Sequence, residues 1–193
     1  MTRKDSEVFM DIILASASPR RQELLKLIFD KFSIITADIE EVCPDSLHPH
    51  KCPEYLALQK ARAVANDHKD SLVIGADTAV FLGDVMLGKP KDDEDAVRML
   101  SSLSGREHLV ITGCAAILRE KEISFSVTSG VKFFELSKEE INWYIGTREH
   151  TDKAGAYGIQ GKGSLLVEEI HGDYFNIVGL PVSELNRKIK ENF

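Results

Sequence analysis

The residues of this chain that could do chemistry fall into short blocks, none of which is a complete catalytic motif. Ser16-Ala17-Ser18-Pro19-Arg20-Arg21 follows an apolar run and opens a helical pattern. Two hydroxyls, two guanidiniums and the exposed N–H groups of a helix start then stand at the end of a strand, a combination that attracts phosphate. A Ser-capped helix with solvated arginines accounts for the same residues equally well. Asp77 interrupts the apolar stretch Val73-Ile74-Gly75-Ala76-Asp77-Thr78-Ala79-Val80. A carboxylate there needs a cation, a metal or a set of donors to stay charged, so it marks either a functional site or a bulge or sheet edge. Lys60 shares a helical stripe with Ala57, Ala61 and Val64, where an apolar residue is expected. Its ordinary account is a stem that snorkels to water.

Three further blocks have weaker signals. Gly88-Lys89-Pro90 places a lysine on a restricted backbone, which alone is an ordinary turn. In Asp152-Lys153-Ala154-Gly155-Ala156-Tyr157-Gly158-Ile159-Gln160-Gly161 the small residues admit a flat ligand, and the Gln160 amide both donates and accepts; a mobile surface loop is the plain alternative. Glu40-Glu41 offers a metal ligand, Glu41, or simply a solvated acidic pair. The six histidines are scattered, and the sequence has no H-E-x-x-H, G-x-S-x-G, Walker A or G-x-G-x-x-G pattern. Zinc hydrolysis and a covalent serine therefore have no support.

The elements that must position these blocks alternate between β-branched runs and helical periodicity. Strands are expected at residues 12–15, 32–36, 72–82 and 85–87, with a Gly83-Asp84 hairpin turn between the last two. Residues 109–134 read as a long antiparallel pair around Arg119-Glu120-Lys121. Helices are expected at 19–29, 53–68, 92–103 and 137–146, the last opened by a Ser137-x-x-Glu140 capping box. A Gly-rich segment at 155–163 precedes a strand-rich region and a C-terminal helix that starts at Pro181. The 193 residues fit one domain, with residues 1–10 as a flexible extension ahead of it.

With 31 acidic against 24 basic residues the net charge is -7, which disfavours nucleic acid and anionic membrane as partners unless cations are gathered locally. A small anionic ligand needs only such a local cluster. Cys43, Cys52 and Cys114 are odd in number and form no C-x-x-C or Cys/His spacing, so neither a disulfide framework nor a zinc site is expected. No apolar run suits a signal peptide or membrane span, and the cytoplasm is the expected location.

In their order along the chain, Leu14 to Leu25 with its Ser-Ala-Ser-Pro-Arg-Arg core, Lys60-Ala61, Gly75-Ala76-Asp77-Thr78, Gly88-Lys89-Pro90 and the Asp152–Gly161 block resemble the Maf family. The resemblance runs from about Ile12 to the C-terminal helix, and the ordered set is far more specific than any one block. It implies an α/β fold with an elongated mixed sheet flanked by helices, similar to inosine triphosphate pyrophosphatases, and two lobes around a central cleft. It implies a nucleoside triphosphate pyrophosphatase in which water attacks the α-phosphorus and a monophosphate and pyrophosphate leave. By the same resemblance, Asp77 is the proton acceptor, and Arg20, Thr78 and Gln160 set specificity. Arg21, Lys60 and Lys89 match basic residues near the phosphates and join the Ser16 and Ser18 hydroxyls of the helix start as phosphate-binding candidates; a divalent cation, Mg²⁺ or Mn²⁺, is implied, with Asp77 as a candidate ligand beside Glu41 of the acidic pair. A homodimer and an association with septum formation and arrest of cell division also follow from resemblance alone.

The Gln160 amide can accept from N3–H and donate to O4 of uracil or thymine, which favours a pyrimidine, although guanine also presents an N–H beside a carbonyl and a flipped amide could pair with cytosine. The subgroup of the family with Gln in this segment is associated with dTTP and UTP. A sister subgroup with Glu hydrolyses 7-methyl-GTP, and that activity or a broader specificity is the alternative within the class. A nucleotide-binding regulator of septum formation with little catalysis is the alternative outside it.

Overall fold

The computed structural model describes residues 10–193, and period-2 alternation along its strands decides what each face of the sheet meets. From β1 (Ile12–Leu14) and β3 (Leu72–Leu82), Ile12, Leu14, Leu72, Ile74, Ala76 and Val80 enter the larger core. Ile13 and Val73 point to the opposite face with Ala15, where Ala57, Ala61 and Val64 of helix α2 (Cys52–Ala65) cover them. Among the described residues, β2 (Ser33–Ile34), β1, β3, β5 (Glu107–Leu118), β6 (Lys121–Phe133) and β7 (Val167–His171) lie side by side in that order, and β4 (Val85–Leu87) pairs with β3. β1 is parallel to β2 and β3, while the other pairings are antiparallel. The mixed α/β sheet is the expected architecture.

One irregularity of this sheet creates the site. β1 stays with β3 only as far as Leu14 opposite Ile74, and the pairing with β4 reaches back only to Val80, opposite the last β4 residue, Leu87. Between those points residues 75–79 of β3 are paired with β5 alone. The free edge between β1 and β4 exposes adjacent residues on both faces, Asp77 toward α2 and Thr78 toward the larger core.

Two glycines let α2 lie unusually close to the sheet. A Cβ at Gly75 would run into the carbonyl oxygen of Ala57 and the backbone of Ala61, and one at Gly113 into the backbone of Pro53 and Glu54. Gly113 sits directly across from Asp77 in the β3–β5 ladder. Side chains on the inner stripe of α2 are thereby brought within reach of β3, Lys60 among them.

The other helices begin where sequence chemistry places them. α1 (Pro19–Leu25) has Pro at its first turn and the Ser18 hydroxyl as its cap. Asp92 caps α3 (Asp93–Leu103) by accepting from Asp95 N at 2.7 Å, and the Ser137–Glu140 capping box opens α4 (Lys138–Gly146). α6 (Val182–Asn192) follows Pro181.

Several expected boundaries move. The helix expected to reach residue 29 ends at Leu25, because Leu27 N and Ile28 N bond three residues back and tighten the chain into turns. The second strand shortens to Ser33–Ile34 at the sheet edge. In place of a strand-rich region after residue 163 there is one strand, β7, and a five-residue helix, α5 (Tyr174–Val178). Asp173 starts that helix by accepting from Phe175 N at 2.8 Å, and Gly179, at φ 125°, ends it. Met10 packs against the larger core, so the expected extension does not include it; residues 1–9 lie outside the described residues.

The cysteines also differ from expectation. Cys43 and Cys52 form a disulfide with Cα atoms 5.8 Å apart, and Cys114 is free and buried. The segment between β2 and α2 folds back on itself and brings Cys43 to the first residue of α2, a meeting that a spacing of nine residues does not encode. No helix among the described residues is long and apolar enough to cross a membrane.

Candidate active site

The free edge of β3 opens into a cavity of about 690 Å³, and every candidate residue named from the sequence lines it: Ser16, Ser18, Arg20, Arg21, Glu41, Lys60, Asp77, Thr78, Lys89 and Gln160. Its charged lining has five cations, Arg20, Arg21, Lys60, Lys89 and Lys153, against three carboxylates, Glu41, Asp77 and Asp152. An acidic protein has thus gathered a local cationic excess in a concave site, which suits an anionic ligand.

On the α2 side of β3, Lys60 does not snorkel outward. It is buried at 8% exposure, with its Nζ 2.7 Å from Asp77 Oδ1 and 2.9 Å from Glu41 Oε1. Burial pushes the Asp77 carboxyl above the ordinary carboxylate range. Lys60 and Arg21 oppose that shift, and Glu41 adds to it. Glu41 is itself exposed, solvated on one side and ion-paired with Lys60 on the other. Among the described residues no group of three His, Cys, Asp or Glu side chains is arranged to hold a metal ion. Asp77 and Glu41 line the cavity as two carboxylates, the hard oxygen donors that Mg²⁺ and Mn²⁺ take, and the point on which they converge is held by the Lys60 ammonium.

On the opposite side, Arg21 is a strut. Its Nε donates to Gly179 O at 3.0 Å, Nη1 to Ser16 Oγ at 3.1 Å and Nη2 to Thr78 Oγ1 at 3.0 Å. Burial pulls its pKa down against the attraction of Asp77. Of its N–H groups, those not used in these three bonds remain for a ligand. The Ser16 hydroxyl also accepts from Ser18 N at 3.3 Å, and Ser18 caps α1. Arg20 is half-buried, while Lys89 and Gln160 are exposed on the rim.

The hairpin and the Gly-rich segment are joined where Gly155 N donates to Gly88 O at 3.0 Å. Gly155 has φ 69° and lies against Val80, which leaves no room for a side chain. Beneath this segment the Tyr157 hydroxyl meets His108 Nε2 at 2.7 Å, and burial pushes His108 down to about 4, which keeps the ring neutral.

Two side chains that matter to the site were not found from sequence, Thr112 on β5 and Asn176 on α5. Thr112 looks like any alternating strand residue, and a five-residue helix is too short for periodicity to reveal Asn176. The Asp173 cap and Gly179 were the available signals.

Residues 11–192 match the family described as Maf-like protein. The chain belongs to the Maf family. Similar relatives include a dTTP/UTP pyrophosphatase of Clostridioides difficile, 52% identical over 186 residues that cover 95% of this chain and 96% of that protein. A dTTP/UTP pyrophosphatase of Bacillus cereus is 48% identical over 189 residues, covering 98% and 93%. The Maf fold seen here is shared with a Ham1 protein of Staphylococcus aureus at a TM-score of 0.52 and 17% identity, over 81% of this chain and 79% of that one. A HAM1 protein of Coxiella burnetii gives a TM-score of 0.52 at 16% identity, over 94% and 99%.

Proposed function

We propose that this Maf protein hydrolyses dTTP and UTP to the nucleoside monophosphate and pyrophosphate. The observation that carries the reading is the cavity at the free edge of β3, where a buried Asp77–Lys60 pair faces a local excess of cations. Full-length relatives named dTTP/UTP pyrophosphatase support the choice of reaction.

In this reading Arg20, Arg21, Lys89 and the Ser16 and Ser18 hydroxyls hold the triphosphate. Lys60, which donates one proton to Asp77 and is ion-paired with Glu41, directs another at a phosphate oxygen. Asp77 takes a proton from water as the new bond forms between water oxygen and the α-phosphorus. The bond from the α-phosphorus to the bridging oxygen breaks, and pyrophosphate leaves with its charge matched by the cations. A carboxylate whose pKa is raised by burial is a better proton acceptor near neutral pH than an exposed one. Asp77 and Glu41 are the residues that would hold Mg²⁺ or Mn²⁺, which when bound neutralises phosphate charge and makes water more acidic.

Gln160 reads the base by accepting from N3–H and donating to O4, with Arg20 and Thr78 completing the specificity set. The test is a panel of purine and pyrimidine triphosphates with Mg²⁺ or Mn²⁺ and the purified protein. Preferential turnover of dTTP and UTP is expected, whereas equal turnover of purines and pyrimidines contradicts the role given to Gln160. Preferential turnover of 7-methyl-GTP would move the protein to the sister activity, and tight nucleotide binding without turnover would make it a regulator.

A further inference from the structure

Proton directions around Thr78 are fixed from behind. Thr112 Oγ1 lies 2.8 Å from the carbonyl oxygen of Asn176, and a carbonyl can only accept, so the single hydroxyl proton of Thr112 points there. The 2.9 Å contact between Thr78 Oγ1 and Thr112 Oγ1 must then take its proton from Thr78. Arg21 Nη2 donates into the same Thr78 oxygen at 3.0 Å. The chain runs one way, from Arg21 through Thr78 and Thr112 to the Asn176 carbonyl. What Thr78 has left for a ligand is a lone pair and no proton.

The end of the chain is equally determined. The Asn176 side chain donates from Nδ2 to Val110 O at 3.0 Å and to Ser129 Oγ at 2.9 Å, and its Oδ1 accepts from Thr112 N at 3.1 Å. Turning the amide over would set its oxygen against the Val110 carbonyl, so its orientation has no alternative. Thr112 and Asn176 are both fully buried at 0% exposure and neither lines the cavity, whereas Thr78 does. They act on a ligand only through Thr78.

The geometry points to Thr112 and Asn176 as positioning residues that make Thr78 an acceptor-only contact, selecting a base whose ring nitrogen carries a hydrogen over one that presents a lone pair. Uracil and thymine carry N3–H, which the Gln160 oxygen and the Thr78 lone pair accept together as a three-centre bond, while N3 of cytosine is an acceptor and would meet the Thr78 lone pair with its own. This rests on the reading of Thr78 as a base-facing specificity residue, and it adds the reason why a threonine, which elsewhere donates and accepts freely, discriminates here.

The test is the ratio of kcat/KM for UTP to that for CTP in the wild type and in Thr112→Val, Thr112→Ser and Thr78→Val. Thr112→Val removes the acceptor behind Thr78 and lets its proton turn toward the cavity. The ratio is expected to fall by about tenfold, the size of one hydrogen bond exchanged for a mismatch. The change should lie mainly in KM for CTP, and Thr112→Ser should restore the wild-type ratio. A merely structural role would lower both activities together and leave the ratio alone. If Thr112→Val does not fold, Thr112→Ala is read in its place, since it also removes the hydroxyl and keeps the Thr112 N–H bond to Asn176. A ratio that changes in Thr78→Val but not in the Thr112 variant overturns the relay while the base-facing reading stands. A ratio unchanged in Thr78→Val overturns both.

Discussion

Asp77 and Thr78 are neighbours on one strand, yet the two faces of β3 on which they lie are built on opposite principles. The Asp77 face is charged and incompletely settled: a buried carboxylate above its ordinary pKa, a buried ammonium shared between two carboxylates, and one of those carboxylates reaching into solvent. The Thr78 face is a chain of hydrogen bonds with fixed directions, from Arg21 through Thr78 and Thr112 to the Asn176 carbonyl, which leaves Thr78 one lone pair. The first arrangement leaves groups able to take up a proton or a phosphate, and the second removes freedom. A site that both reacts and discriminates needs each, and the free edge of residues 75–79 presents them side by side.

The comparison breaks most sharply at Asp77. Asp77→Asn keeps size and hydrogen bonding but removes the proposed proton acceptor, and kcat for pyrophosphate release should fall by about 10²–10⁴-fold. Nucleotide affinity, measured by calorimetry, should stay within a few-fold. Persistence of turnover in this variant would remove Asp77 from the chemistry.

The charged face also depends on how its segments are held. The Cys43–Cys52 bridge ties the segment bearing Glu41 to the start of α2, and among the described residues no disulfide serves the Thr78 face. Cys43→Ser, compared with the wild type in denaturant without reductant, should cost about 2–3 kcal/mol of stability, the size expected for closing a short loop. Identical unfolding midpoints would show that the bridge adds nothing. Gly75→Ala places a methyl against the Ala57 carbonyl and should cost about 1–3 kcal/mol by the same measurement. Turnover should fall with it as α2 carries Lys60 away from Asp77, while an unchanged stability would mean that α2 yields without cost.

The smallest effects are the most specific. The proposed mechanism needs Asp77 deprotonated, and under it kcat/KM should rise with pH through an acid limb that lies above the ordinary carboxylate range. Lys60 lowers the Asp77 pKa and Glu41 raises it. The limb should therefore move to higher pH in Lys60→Met and to lower pH in Glu41→Gln. Shifts in the same direction would mean that the three groups do not titrate as one cluster.

The contrast between the faces also explains what could be read from sequence. β3 and the β4 hairpin were legible to the residue, because apolar runs bounded by Gly83-Asp84 leave no other assignment. The anomaly of Asp77 in that strand was equally visible, and its need for a cation was answered by Lys60, itself an anomaly on the α2 stripe. Charges out of place announce themselves. Thr112 and Asn176 do not, since a threonine in a strand and an asparagine near a turn are ordinary, and only the long-range pairing of β3, β5 and α5 makes a relay of them. The Cys43–Cys52 bridge was hidden for the same reason: it depends on the path of an irregular loop.

The central claim, attack of water at the α-phosphorus with loss of pyrophosphate, is tested most directly by hydrolysing UTP in water enriched in heavy oxygen and weighing the products. The label should appear in the monophosphate, with unlabelled pyrophosphate as the other product. Label in pyrophosphate, or release of orthophosphate, would contradict it.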